Sequence, residues 1–102
     1  MDVTDAERRP SIGQIVQVKK GREAGRYAIV IGWEEPHFVL LVDGDKRKFG
    51  QSKKKNVKHI QPTKHIAREV AESMSKDGRV SNAKLRHALN QYLLQIGERK
   101  GE

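Results

Sequence analysis

Cysteine is absent from this 102-residue chain. With it go disulfide staples, thiol nucleophiles and thiolate zinc sites, and a reducing compartment, the cytoplasm, suits such a chain. Long apolar runs are also missing. The run over residues 38–42 is as long as any, against the roughly 20 residues a helix needs to cross a bilayer. Residues 1–10 hold no apolar stretch of the signal-peptide kind, so a soluble, unexported protein with no membrane partner is expected. Aromatic residues make up only 5% of the chain, and core packing claims most of so few rings. The length allows one domain with a modest core and leaves no room for a separate catalytic domain.

One further absence is local. Between Asp45 and Glu69 there is no acidic residue, while Lys46, Arg47, Lys48, Lys53, Lys54, Lys55, Lys58, Lys64 and Arg68 all fall there. The formal net charge of +8 is therefore carried by this segment, and the rest of the chain is close to neutral. Charge concentrated in this way points to a polyanionic partner, which an even scatter of cations does not.

Hydrophobic periodicity divides the chain. Residues 1–10 mix charges of both signs with little apolar content and read as a flexible tail. From Gly13 on, Gln14, Val16 and Val18 alternate with Ile15, Gln17 and Lys19, and the β-branched residues among them favour a pleated strand. Residues 20–26 form a glycine-punctuated loop. Residues 27–33 are a second strand, apolar on both parities, as expected where a bent barrel strand is covered on both sides. Residues 37–42 read as a third strand, and Asp43-Gly44 as a hairpin turn in which glycine supplies positive φ. Residues 46–49 are expected to return antiparallel, residues 50–56 to form a lysine-rich loop, and residues 57–60 to close the sheet. The period then changes. Ile66, Ala67, Val70, Ala71 and Met74 recur at helical spacing, with Pro62 or Thr63 marking the start and Gly78 the stop. A second amphipathic helix follows, capped by Ser81, with Leu85, Ala88, Leu89, Tyr92, Leu93 and Ile96 on one face and its end at Gly97. The expected class is mainly β with C-terminal α: a small barrel over residues 11–61 and a helical extension over residues 62–102.

The stretch from Gly13 to Val30 resembles the KOW motif of several ribosomal proteins and of NusG-type elongation factors. The matching positions are Val16 and Val18, Gly21 and Gly25 bracketing the loop, Arg22, Glu23 and Arg26 within it, and Val30. Ala28 departs from the pattern where many KOW motifs carry another glycine, which favours the ribosomal comparison. The likeness continues through Val42-Asp43-Gly44, Arg47-Lys48, Lys53-Lys54-Lys55 and Lys58-His59-Ile60. It is similar to bacterial KOW-domain RNA-binding proteins related to the fourteen-e class of large-subunit ribosomal proteins. The resemblance covers about half of the chain and implies an SH3-like barrel that binds RNA.

The residues themselves support the same chemistry. Lys19, Lys20, Arg22, Arg26, Lys46, Arg47, Lys48, Lys53, Lys54, Lys55 and Lys58 would meet phosphates, with His59 as a hydrogen-bonding neighbour. A tight loop also presents amides to phosphate. The expected partner is structured RNA, ribosomal RNA first, with proteins of the ribosomal particle as further contacts. Tyr27, Trp33 and Phe38 can stack on unpaired bases, but core packing is the commoner task for at least two of them. Phe49 reads as core, and His37 and His87 as surface. Four scattered histidines lack partners at ligand spacing, so no metal or other cofactor is expected. Asp43 and Asp45 fit turn chemistry better than acid–base catalysis. The loop lacks the Gly-Lys-Ser/Thr ending of a nucleotide-hydrolysing site, so neither an enzyme nor a small-molecule substrate is indicated. Two other readings stay open: a KOW interaction module that contacts RNA polymerase, and a nonspecific DNA binder, since phosphate charge alone does not separate the two nucleic acids.

Overall fold

The computed structural model of the protein describes residues 9–101, with side chains described through Gly97. Most of the expected tail thus lies outside the described residues. Its last two residues, Arg9 and Pro10, are packed against Trp33.

Five antiparallel strands form one sheet in the order β4-β3-β2-β1-β5. They are β1 (Gln14–Val18), β2 (Tyr27–Glu34), β3 (Phe38–Val42), β4 (Lys53–Asn56) and β5 (Ile60–Ile66). Two helices follow, α1 (Arg68–Asp77) and α2 (Asn82–Gly101). The class is mainly β with C-terminal α.

The sheet cannot be flat. β4 and β5 are its opposite edges, yet only the single 3₁₀ turn Val57–His59 joins them. Across a flat five-stranded sheet the edges would lie about 19 Å apart, whereas the four steps from Asn56 to Ile60 reach at most about 14 Å. The sheet therefore curls into a barrel-like layer. Its concave side is filled by Val16, Val18, Val30, Val39, Leu41 and Ile60, all buried. Its convex side carries Ile15, Ile29 and Val42, which the helices cover with Val70, Leu85, Ala88 and Leu89. Both parities of β1 and β2 are buried for this reason. Tyr92 extends the seal, its ring 5.5 Å from Tyr27 and 5.4 Å from His65.

Five local expectations are corrected. Residues 46–49 do not return as a strand. The Asp43 carboxylate accepts the amides of Asp45 and Arg47 (both 2.8 Å) and closes the turn, but Asn82 then takes the Phe49 amide at 2.8 Å. The chain detours to the helices through a 3₁₀ turn, Phe49–Gln51, before pairing with β3. The loop expected over residues 50–56 is consequently a strand from Lys53, paired as Leu41↔Lys53, Leu40↔Lys54 and Val39↔Lys55. An edge strand needs no apolar alternation, so the usual signal is missing.

Residues 57–59, expected to begin the closing strand, are instead a 3₁₀ turn set by the Asn56 carboxamide, which accepts the Lys58 amide at 2.8 Å. The first helix starts at Arg68, and the strand beside β1 runs from Ile60 to Ile66. Thr63 holds it there, donating its hydroxyl to the Ile15 carbonyl at 2.7 Å and accepting Gln14 Nε2 at its own carbonyl at 2.7 Å. Pro62 is tolerated because β5 is an edge strand. The stop of the first helix and the cap of the second hold. Gly78 ends α1 in the left-handed conformation, its amide on the Met74 carbonyl, and Ser81 Oγ accepts the Lys84 amide at 3.1 Å. The second helix passes through Gly97 and runs to Gly101.

Candidate nucleic-acid interface

The loop between β1 and β2 is rigid by construction. The Gly25 amide donates to the Val18 carbonyl (2.7 Å) and the Val18 amide to the Arg26 carbonyl (2.9 Å), while Ala24 and Arg26 donate to Gly21 and Glu23 within the loop. Gly25 has φ +92°, a conformation that costs a residue with a Cβ about 1–3 kcal/mol. The amides of Ala24, Gly25 and Arg26 are thus engaged within the loop and its flanking strands, and cannot also donate to phosphate. That narrows the expectation from sequence: at these three positions the loop offers cations, not amides. Lys19, Lys20, Arg22 and Arg26 are all exposed.

Three separate parts of the sequence meet this loop. The Lys19 amide donates to the His59 carbonyl at 2.8 Å, which sets Lys58 and His59 beside Lys19 and Lys20. A Cβ built on Gly21 would lie 2.7 Å from Lys55 Nζ, so the Lys55 ammonium rests on the loop. The Arg47 guanidinium lies 3.5 Å from Glu23 and ties the turn bearing Lys46 and Lys48 to the same loop.

Strand register divides the lysine cluster. Directly paired residues share a face of a sheet. Lys53 and Lys55 pair with Leu41 and Val39, whose side chains fill the concave core, and Lys54 pairs with Leu40 on the opposite face. Lys54 stands 4.9 Å over the Phe38 ring and 3.5 Å from Glu34. The structure therefore brings Lys55 onto the loop that carries Lys19, Lys20 and Arg22, with Lys58 and His59 beside it, and puts Lys53 on the same sheet face as Lys55. It sets Lys54 on the other face, against Phe38 and Glu34 of a cleft that Lys58 also lines. Arg26 faces the second helix across a cleft shared with Tyr27, Asp43, Arg86 and Leu89. Lys48 caps its own turn through the Asp45 carbonyl at 3.2 Å.

Among the aromatics, Tyr27 and Phe49 pack against the convex core, Phe38 is half-buried, and Trp33 stays 40% exposed. His37 and His87 are exposed. Two residues with structural contacts near the candidate site carry no signal in the sequence. Arg86 donates to the Gly44 carbonyl at 2.8 Å and holds the 43–47 turn in place; an arginine on a helix carries no mark of such a task. Arg9 lies 5.1 Å over the Trp33 ring and pairs with Glu35 at 2.8 Å.

No family model matches the chain. A Bacillus subtilis (strain 168) protein named "Putative ribosome-binding protein YbzG" is 37% identical over 71 residues, which span 70% of this chain and 96% of that protein. The chain belongs to the YbzG family. Any stretch of 71 residues within 102 includes positions 32–71. The likeness to YbzG therefore takes in β3, the edge strand with Lys53, Lys54 and Lys55, and β5. Among the described residues no helix is long and apolar enough to cross a membrane, and no cluster of metal-ligating side chains occurs.

Proposed function

We propose that the protein binds structured RNA of the ribosome, in the cytoplasm and without catalysing a reaction, through the basic face formed by the β1–β2 loop, Lys53, Lys55 and the Lys58-His59 turn. The observation that carries this reading is the Lys55 ammonium resting on Gly21. It joins two basic segments that are far apart in sequence into one surface, with a single internal acid, Glu23, whose charge is met by Arg47. Cations held together without compensation repel each other and gain most beside phosphate. The name of the Bacillus subtilis relative supports a ribosomal setting. The curled sheet, closed by one 3₁₀ turn, supports the SH3-like barrel that the KOW resemblance implies.

Phosphate contacts position a protein on RNA more than they read sequence, so binding should be strongly salt-dependent and weakly sequence-specific. The test is co-sedimentation with ribosomal particles across a salt series, followed by crosslinking to identify the RNA. Association at low salt that falls steeply as salt rises, with crosslinks to ribosomal RNA, is the expected result. No association at low salt would remove the ribosomal setting, and an affinity flat in salt would remove the phosphate mechanism.

A further inference from the structure

The β2–β3 turn carries a feature that the basic face does not use. A cleft of about 310 Å³ is lined by Arg9, Trp33, Pro36, His37, Phe38 and Lys58, among others. Trp33 is the chain's one tryptophan. Its indole is fixed from two directions: Nε1 donates to the Pro10 carbonyl at 2.8 Å, and the Arg9 guanidinium lies 5.1 Å from the ring centroid. An exposed tryptophan held in this way has lost its rotamer freedom before any ligand arrives, so stacking on it costs little further ordering.

The position of the cleft matters as much as its lining. Lys58 lies on its wall, and the neighbouring His59 carbonyl receives the Lys19 amide. The cleft thus opens at the end of the basic face, where a strand following Lys20, Lys19 and Lys58 would arrive. Its lining joins aromatic and apolar side chains to two cations, Arg9 and Lys58, to His37, a hydrogen-bonding imidazole, and to one carboxylate, Glu34, which Lys54 meets at 3.5 Å. That combination fits the π-face and polar edge of a nucleobase with its phosphate outside, as in other single-strand sites.

We propose that this cleft takes one unpaired nucleobase, stacked on Trp33, with Lys58 on the adjoining phosphate. The proposal rests on RNA binding by the basic face and specifies its target: folded RNA with a bulged or looped-out base next to a helix. A peptide segment is the other chemistry an aromatic cleft admits. The continuity with the cationic surface through Lys58 favours the base.

The single tryptophan makes the test direct. The full chain is titrated with a hairpin RNA carrying a single-nucleotide bulge and with a blunt duplex of the same length, while Trp33 fluorescence and affinity are both followed. The bulged RNA should quench Trp33 and bind more tightly, and the duplex should bind without quenching. Trp33→Leu should weaken binding of the bulged RNA about ten-fold, leave the duplex within about two-fold, and recover with Trp33→Tyr, since base–aromatic stacking contributes on this scale. Equal binding of both RNAs without quenching would overturn the nucleobase site and leave the basic face standing, the result also expected of a peptide cleft. Failure to bind either RNA would overturn both readings.

Discussion

The division of the lysine cluster by strand register leads to a test that net charge alone cannot pass. Lys54→Gln and Lys55→Gln remove the same charge from adjacent positions. If RNA responded only to total charge, the two variants would behave alike. Lys55, however, rests on the β1–β2 loop, while Lys54 lies on the opposite face between Phe38 and Glu34. Loss of one phosphate contact lowers the slope of log affinity against log salt by about 0.9 for a duplex. Raising salt from about 50 to about 200 mM, a fourfold change, should then weaken Lys55→Gln about 3.5-fold less than the wild type, and Lys54→Gln as much as the wild type. Fluorescence anisotropy of a labelled ribosomal RNA helix at several salt concentrations measures both slopes. The exposed Lys54–Glu34 pair contributes little to stability, so both variants should fold. Equal slopes for the two variants would refute the assignment of faces, and an unchanged slope for Lys55→Gln would remove that residue from the interface.

Two further predictions concern the scaffold. Gly44 has φ +80°, and a Cβ there would lie 2.5 Å from the Asn82 carbonyl oxygen and 2.9 Å from the Leu85 Cβ. Gly44→Ala should therefore cost about 3 kcal/mol or more, combining backbone strain with overpacking. Gly25 has φ +92° but open space around it, so Gly25→Ala should cost the backbone strain alone, about 1–3 kcal/mol, and less than Gly44→Ala. Urea midpoints rank the two, and equal costs would show that the 43–47 turn is not locked to the second helix. Leu85 is fully buried and Leu94 is 60% exposed. Leu85→Ala should lose about 3 kcal/mol and Leu94→Ala less than about 0.5 kcal/mol in the same assay; a small loss at Leu85 would mean that the helices do not seal the convex face.

The order of elements was legible in the sequence wherever burial left a pattern. β1, β2 and β3 show it because their side chains fill one or both faces of the curled sheet, and the second helix shows it through Leu85, Ala88 and Leu89. Capping by Ser81, the stop at Gly78 and the positive φ at Gly25 and Gly44 follow from local chemistry and could be read directly. What escaped reading is what depends on partners distant in sequence. Lys53-Lys54-Lys55 has no apolar alternation, and only its pairing with Leu41, Leu40 and Val39 makes it a strand. Pro62 marks an edge strand and a helix start equally well, and Thr63 decides between them by bonding to Ile15. The same limit applies to the interface. Local charge density singled out the proposed segment, but which cations share a face is set by the register of β4, and the clamp by Arg86 is set by helix docking.

The edge strand has one more consequence. Among the described residues β4 pairs only with β3, so no strand lies along its outer edge. Such an edge invites stacking of one molecule on the next, and a row of lysines is a common guard against it. Two copies meeting at this edge would set Lys53, Lys54 and Lys55 of each against those of the other, and the approach would be repulsive at ordinary salt. Lys53 and Lys55, proposed above to meet phosphate, would thus together with Lys54 also keep the protein from polymerising, and neutralising all three should raise its tendency to aggregate.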